Sequence, residues 1–179
     1  MGIFSRLKFH PAEMSPAWSA TVPGPESHIR AMWPGDLEQV LIIERLSFPD
    51  EYAWQSADFN RCFAMESRNL GYVVELAGRL VAYAVVYACA PHALLLDNLA
   101  VLPAFRRMGL AKRVLAEIEK PNSFSRPMRM RAVVRECNLP AQLTLRAAGW
   151  RAVGMSRQPW PDCDEDGIRF FKRLISHKH

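Results

Sequence analysis

The chain has 179 residues, half of them hydrophobic and 23% charged, which is the composition of one globular domain and excludes a disordered or fibrous protein. Its formal net charge of +5 favours anionic ligands, but Lys and Arg never form a run of five or more, which disfavours a nucleic-acid-binding arm. No apolar run approaches the roughly 18 residues of a membrane span and no signal peptide is recognisable, so the sequence predicts a cytoplasmic protein without membrane contacts.

The cysteine pattern does not favour a metal centre. Cys62, Cys89, Cys137 and Cys163 lie far apart, and none of them belongs to a C-x-x-C pair or has a histidine at ligand spacing. The sequence therefore predicts no metal site and thiols that stay reduced in the cytosol.

Residues 1–27 contain four prolines and show no helix or strand period, which is typical of an extension outside the folded domain. We therefore predict that the domain spans residues 28–175. Its first elements are a strand at residues 29–32 and a helix from Leu37 to Phe48, which Asp36 is placed to cap.

The connector from Pro49 to Trp54 is rich in turn residues and leads to a second helix, which Ser56 caps and which extends to Met65. The β-branched and aromatic residues at 72–76 and 80–87 predict a hairpin. The second arm of this hairpin is apolar enough to lie at the centre of a sheet.

The second half of the domain begins with a strand from Leu94 to Leu102, which Pro103 ends. Strong helix formers with one apolar face predict a helix from Leu110 to Glu119. A strand at residues 128–135 and a helix from Leu139 to Ala148 follow.

Gly149 is placed to stop that last helix. The segments 150–157 and 168–174 predict a final antiparallel pair, joined by an acidic loop from Asp162 to Asp166. The predicted order is β-α-α-β-β-β-α-β-α-β-β, which indicates an α/β fold with one mixed sheet in a single domain.

The segment from Asn98 to Ala111 has the clearest chemical pattern, because an apolar strand runs into a basic loop and then directly into a helix. Backbone N–H groups and the helix dipole favour an anion at such a junction. Gly109 permits close approach, and Arg106, Arg107 and Lys112 add positive charge. The pattern favours a diphosphate ligand, and a solvated helix start is the alternative. The loop lacks the glycine spacings of phosphate-binding and dinucleotide-binding loops, which disfavours nucleotide hydrolysis and hydride transfer.

The basic loop resembles the acetyl-CoA motif R/Q-x-x-G-x-G/A of the GCN5-related N-acetyltransferase (GNAT) superfamily, in the form Arg106-x-x-Gly109-x-Ala111. The strand before it, Leu99-Ala100-Val101-x-Pro103, is similar to the strand that precedes the motif in that family. Two later segments, Asn138-x-x-Ala141 and Ala148-Gly149-Trp150, also resemble family segments. The resemblance covers residues 29–150 and implies a GNAT-like domain with acetyl-CoA as co-substrate.

The same resemblance implies a role for each part of this segment. The backbone of Leu99 and Val101 would contact the pantetheine arm, the loop from Arg106 to Lys112 would hold the pyrophosphate, and Asn138 would lie near the far end of the cofactor. The implied cofactor-binding residues are Leu99, Ala100, Val101, Arg106, Arg107, Met108, Gly109, Leu110, Ala111, Lys112 and Asn138.

Three shorter segments resemble the ribosomal-protein-alanine N-acetyltransferase group of that superfamily. They are Ala53-Trp54-Gln55-Ser56, Asp97-Asn98-Leu99-Ala100-Val101 and Asp166-Gly167-Ile168. This likeness implies that the acceptor is a primary amine of a protein, at its N-terminus or on a lysine.

Two catalytic groups that are common in the family are replaced in this chain. Leu145 stands where the family commonly places a general-acid tyrosine, and Val133 stands where the subfamily has a glutamate base. Asp97 is the remaining candidate base, because strand geometry puts it two residues before Leu99 and on the same face. Glu136 is the reserve candidate, and a structural aspartate is the alternative interpretation of Asp97.

Two other functions remain open beside acetyl transfer to a protein amine. A module that binds acetyl-CoA with little catalysis would explain the two replaced catalytic groups. A small-molecule amine acetyltransferase would have a deep acidic pocket instead of an open peptide groove. The predicted acceptor loops, residues 49–57 and 158–167, would decide between them by their shape.

Overall fold

The computed structural model describes residues 27–63, 69–90, 92–120, 129–160 and 163–174. The predicted N-terminal extension lies outside these residues apart from Ser27, so the domain boundary stays a prediction. Met65, the predicted end of the second helix, also lies outside them, and that helix already ends at Asn60, so it is shorter than predicted.

The described part of the chain forms seven strands and four α-helices in the predicted order. The strands are β1 (Ser27–Ala31), β2 (Asn69–Leu76), β3 (Arg79–Ala90), β4 (Ala93–Val101), β5 (Arg129–Arg135), β6 (Arg151–Ser156) and β7 (Gly167–Arg173). The helices are α1 (Leu37–Ser47), α2 (Ser56–Asn60), α3 (Leu110–Ile118) and α4 (Leu139–Ala147).

The strands form one mixed sheet in the order β1-β2-β3-β4-β5-β7-β6. Among the described strand pairs, β4 and β5 are parallel and all the others are antiparallel. Strand β3 is buried without alternation from Leu80 to Val86, because helices cover both faces of the sheet there. The predicted α/β fold with one mixed sheet is confirmed.

Each face of the sheet has its own apolar core. On one face α1 and α2 pack through Val40, Ile43 and Phe59 onto Tyr83 and Ala100 of the central strands. On the other face α3 and α4 pack onto the sheet with Leu110, Val114, Ile118 and Leu145. The two cores set α1 and α3 on opposite sides of β4, which is the strand that leads into the basic loop.

One predicted helix cap is wrong, one has the predicted position without the capping bond, and one helix stop is confirmed. Asp36 lies in a 3-10 turn before α1, and its carboxylate accepts bonds from Arg30 Nη1 at 2.7 Å and from the Trp33 N–H at 2.8 Å. It stands at the N-cap position of α1, as predicted, but its side chain makes no capping bond to that helix. The cap of α2 is Gln55, whose N–H donates to Asp58 at 2.9 Å, so Ser56 is already inside the helix. Gly149 follows α4 with a φ of 84°, as its predicted role requires.

None of the helices in the described ranges is long and apolar enough to span a bilayer. The same ranges contain no group of three or more His, Cys, Asp or Glu side chains arranged to hold a metal ion.

Candidate active site

Strands β4 and β5 separate towards their own carboxyl ends. Their parallel pairing runs from Ala93 opposite Arg129 to Leu96 opposite Ala132 and then stops. Beyond that point β4 continues to Val101 and β5 continues to Arg135, so a wedge opens between two neighbouring strands. Open backbone edges of this kind can accept an extended ligand such as a pantetheine arm.

A β-bulge lies at the start of this wedge. Asn98 is paired with Val85 and Leu96 with Val86, which leaves Asp97 as the extra residue of β4. Leu99 therefore packs with the core under α3, whereas Asp97 interacts electrostatically with Asp58 and Arg61 on the α2 side. The prediction that Asp97 shares a face with Leu99 is wrong, because the bulge shifts the alternation of side chains by one residue.

The carboxyl group of Asp97 has a perturbed environment. Partial desolvation raises the pKa of Asp97, the charge of Arg61 lowers it, and the charge of Asp58 raises it. The net direction is upward, and because the residue as a whole is exposed, solvent screening limits the effect. An accessible carboxylate with a raised pKa suits a general base.

The neighbouring thiol of Cys62 does not suit a nucleophile. Burial raises its pKa to about 11, and the charge of Asp97 also raises it. A thiol in that range is protonated near neutral pH and is a weak nucleophile.

The predicted anion-binding loop lies directly after β4. A 3-10 turn at Pro103–Phe105 leads to Arg107 and Gly109, which have positive φ angles of 65° and 75°. The first bond that joins this loop to α3 runs from the Arg113 N–H to the Gly109 carbonyl at 3.0 Å. The preceding N–H groups of a helix start have no intrahelical acceptor and are available to an anion. This geometry fits the pyrophosphate of a coenzyme A group.

The side chain of Arg106 has a different role from the one that its charge suggests. Its Nε donates to the Val101 carbonyl at 3.1 Å and its Nη2 donates to the Ser47 carbonyl at 3.4 Å. The guanidinium therefore joins the end of β4 to the end of α1. Arg107 and Lys112 are exposed beside the loop, and their role in charge neutralisation stays a prediction.

Asn138 begins α4 next to the carboxyl end of β5. Its Oδ1 accepts a bond from the Ala141 N–H at 3.1 Å, which explains the spacing of the Asn-x-x-Ala segment as a helix cap. Gln142, which the sequence pattern did not single out, is buried and donates to the carbonyls of Arg135 at 3.2 Å and Glu136 at 2.8 Å. These bonds hold the start of α4 against the end of β5.

The positions of the two replaced catalytic groups are structurally different. Leu145 is only 2% exposed and belongs to the core under α3 and α4. Val133 is half-buried on β5, immediately beyond the last residue that pairs with β4. Neither side chain can take part in proton transfer.

An acidic cleft of about 440 Å³ lies beside the end of β5 and the loop between β6 and β7. Its lining residues are Glu136, Arg157, Gln158, Asp164, Glu165 and Asp166. Most of them are exposed, so the cleft combines the acidity expected for a small-molecule amine site with the openness expected for a peptide groove.

Arg135 joins the two predicted acceptor loops. Its guanidinium carbon lies 3.7 Å from the ring centroid of Tyr52 and 4.3 Å from that of Trp160. The same guanidinium donates to Glu165 at 2.9 Å, and Glu165 accepts the Cys137 N–H at 3.1 Å. The connector after α1 and the loop before β7 therefore meet over the end of β5.

Sequence reasoning missed a buried carboxylate on the α1 side of the wedge. Glu44 lies within the predicted first helix, yet it is fully buried and accepts bonds from Trp54, Tyr83 and Asn98. Burial raises the pKa of Glu44, while the three bonds lower it; the net direction is upward. In the sequence, the one signal for this buried carboxylate is a glutamate within the apolar stripe of a helix.

A family comparison agrees with this geometry. The family described as Acetyltransferase (GNAT) family matches residues 37–150, which include α1, the wedge, the anion-binding loop and α4. Comparison with curated protein sequences finds no significant match.

Solved structures are similar to the fold over most of the chain. The ribosomal-protein-S18-alanine N-acetyltransferase from Escherichia coli is 20% identical, with a TM-score of 0.71 over 86% of this chain and 99% of that one. Ard1 from Thermoplasma volcanium is 19% identical, with a TM-score of 0.73 over 84% and 99%. A spermidine N-acetyltransferase SpeG chimera from Vibrio cholerae and hSSAT is 14% identical, with a TM-score of 0.68 over 83% and 95%.

Proposed function

Because the chain belongs to the GNAT acetyltransferase family, we propose that it transfers the acetyl group of acetyl-CoA to a primary amine. The observation that carries this proposal is the wedge between β4 and β5, which opens directly beside the helix start at Gly109. An extended thioester and its diphosphate fit one continuous surface there. We infer that the cofactor-binding residues are those named from the motif. The Arg106 side chain stabilises the loop through its bond to the Val101 carbonyl.

When bound, acetyl-CoA supplies an acyl carbon that an uncharged amine can attack. As the new C–N bond forms, the C–S bond breaks and coenzyme A leaves as a thiolate that takes a proton from solvent. The residues of this chain would align the amine and remove its proton. We assign proton removal to Asp97, acting through a water, because its carboxylate is accessible and lies where the wedge begins. Backbone N–H groups at the bulge are the natural partners for the developing negative charge.

We propose a protein amine, at an N-terminus or on a lysine, as the acceptor. The acceptor side is framed by the connector after α1 and the loop before β7, which Arg135 joins. The acidic cleft beside these loops is open, which suits a positively charged peptide end. The likeness to the enzyme from Escherichia coli, named for ribosomal protein S18 alanine, agrees with this class.

A small basic amine is the second candidate, and the acidic cleft is the observation that favours it. Four of its six lining residues are acidic, which suits a polyamine as well as a peptide. The similar fold of a spermidine N-acetyltransferase agrees with this class. A binding module with little catalysis is the third candidate, supported by Leu145 and Val133 at the usual catalytic positions. The cytoplasmic location stays a prediction from the sequence.

The test is a turnover assay with acetyl-CoA and three acceptor sets: N-terminal peptides, peptides with an internal lysine and a blocked N-terminus, and spermidine. Release of free coenzyme A and the mass of the acetylated product would be measured together. We expect the highest kcat/KM for one of the peptide sets. Preference for spermidine would select the small-molecule function. Binding of acetyl-CoA without turnover on any acceptor would select the binding module.

A further inference from the structure

Glu44 is the most unusual residue of α1, because its side chain is fully buried on the face that packs against β3 and β4. A buried carboxylate is costly unless hydrogen bonds replace its lost hydration. Apolar side chains of similar volume commonly replace buried ionic groups without loss of stability. The hydrogen-bond partners of Glu44 therefore indicate whether it has a role beyond packing.

The three partners come from three different elements. The Trp54 N–H donates to Glu44 Oε1 at 2.8 Å, and Asn98 Nδ2 donates to the same oxygen at 3.2 Å. The Tyr83 hydroxyl donates to the other oxygen, Oε2. Tyr83 itself packs edge-on against Phe59 inside the core, with 5.3 Å between ring centroids.

The oxygen Oε1 thus joins two segments that lie on different sides of the candidate site. Asn98 directly follows the bulge residue Asp97 and precedes the strand segment assigned to the cofactor. Trp54 ends the connector that carries Tyr52 and leads into α2. The oxygen Oε2, in contrast, contacts Tyr83 alone of these partners and does not reach either segment.

We propose that Glu44 is a positioning residue whose Oε1 holds the acceptor connector and the bulged segment of β4 in one fixed arrangement, through Trp54 and Asn98. Its effect on catalysis rests on the proposed acetyltransferase function. Its bond to Asn98 holds the Asp97 side chain next to it in one direction. Its bond to Trp54 holds the end of the connector that frames the acceptor side. Misplacement of a reacting group by about 1 Å can reduce the rate by about a hundredfold.

Four variants separate positioning from simple stabilisation. Glu44→Gln keeps an Oε1 acceptor for both segments and removes the charge. Glu44→Met keeps the volume and removes both acceptors. Asn98→Ala cuts the bond to β4 alone, so it remains informative if Glu44→Met fails to fold. Tyr83→Phe is the matched control, because it removes a bond to the same carboxylate that leads to neither segment.

The kinetic readout is kcat with the amine acceptor, measured beside the Kd of acetyl-CoA. We expect Glu44→Met to lower kcat by about tenfold to a hundredfold, in the range that misplacement produces. Asn98→Ala should also lower kcat, whereas Glu44→Gln should keep kcat near the wild-type value. Tyr83→Phe should reduce thermal stability and leave kcat at the wild-type value. Wild-type kcat in folded Glu44→Met, or an equal loss in Tyr83→Phe, would overturn the proposal.

Amide hydrogen exchange at Trp54 provides a second readout that does not depend on turnover. The bond to Oε1 protects this N–H, so exchange should accelerate in Glu44→Met and remain slow in Glu44→Gln and Tyr83→Phe. If the wild type binds no acetyl-CoA and acetylates no amine, the proposed function fails, and this exchange pattern still decides whether Glu44 positions the connector. Equal exchange in all the variants would reject the positioning role.

Discussion

The guanidinium of Arg135 stacks on the ring of Tyr52, with 3.7 Å between the guanidinium carbon and the ring centroid. Tyr52 belongs to the connector after α1, and Arg135 is the last residue of β5. The ring centroid of Trp160 lies 4.3 Å from the same guanidinium carbon, so one cation contacts both predicted acceptor loops. Cation–π pairs of this kind contribute about 0.5–2 kcal/mol.

Arg135→Met should therefore loosen both acceptor loops. The acceptor KM is expected to rise by about 2- to 30-fold, which is the loss of such a cation–π contribution expressed as affinity, and the Kd of acetyl-CoA should stay constant. Arg131→Met, at an exposed position on the same strand, is the control and should change neither constant. An equal increase of both constants in Arg135→Met would mean that Arg135 supports the whole wedge instead of the acceptor side.

Acetyl-CoA should raise the melting temperature through the loop at Gly109. A ligand that binds only the folded state at a hundredfold excess over Kd stabilises it by about 2.7 kcal/mol. Gly109→Glu should abolish this shift, because a carboxylate beside the helix start repels the diphosphate. Gly78→Glu is a close control, since both glycines have a φ of 75° and open space where a side chain would begin.

Both glycine variants should lose similar stability without ligand, because the left-handed conformation costs a side chain about 1–2 kcal/mol. The thermal shift with acetyl-CoA should survive in Gly78→Glu alone. A normal shift in Gly109→Glu would exclude the loop as the pyrophosphate site.

Asp97→Asn should reduce kcat by about 10²–10⁴-fold, the usual range for a lost general base, while leaving the Kd of acetyl-CoA unchanged. In the wild type the rate should fall as the pH drops through the raised pKa of Asp97, because only the carboxylate accepts a proton. This acidic limb should disappear in Asp97→Asn. A variant with full activity would leave Asp97 with a structural role only.

Asp58→Asn tests the same assignment without touching Asp97. The negative charge of Asp58 raises the pKa of Asp97, so its removal should move the acidic limb of the pH–rate profile to lower pH. The expected result is a shifted limb with an unchanged plateau rate. An unmoved limb would show that a group other than Asp97 controls it.

The half-buried ammonium of Lys172 is expected to stabilise the α3–α4 side of the sheet. Its Nζ donates to Glu119 Oε1 at 2.6 Å and to the Ala148 carbonyl at 2.7 Å. Lys172→Met leaves both acceptors without this donor and should reduce the free energy of unfolding by about 1–3 kcal/mol, measured by urea denaturation. Lys120→Met, which breaks a more exposed pair with Glu117, should cost less than about 1 kcal/mol. Equal losses would indicate that partial burial adds nothing to the Lys172 pair.

The elements of the fold were predictable because their signals are local. Apolar periodicity, prolines and glycines mark the order of strands and helices, and each mark lies within or beside its own element. The helix stop at Gly149 depends on one backbone angle and is confirmed. The cap at Ser56 is wrong, because α2 has Gln55 at its N-cap position. Asp36 stands at the N-cap position of α1, but its carboxylate binds Arg30 and the Trp33 N–H instead of the first N–H groups of that helix.

The sequence by itself determined the order of strands and helices and the basic loop before α3, because each of these depends on residues that are close together in the chain, and its short motifs indicated the family. Only the tertiary structure decided which way Asp97 faces and why Glu44 is buried. The bulge at Asp97 depends on the pairing of β4 with β3. Glu44 meets Tyr83 and Asn98, which are 39 and 54 residues away in the chain, and a buried charge is stable only where such distant donors converge.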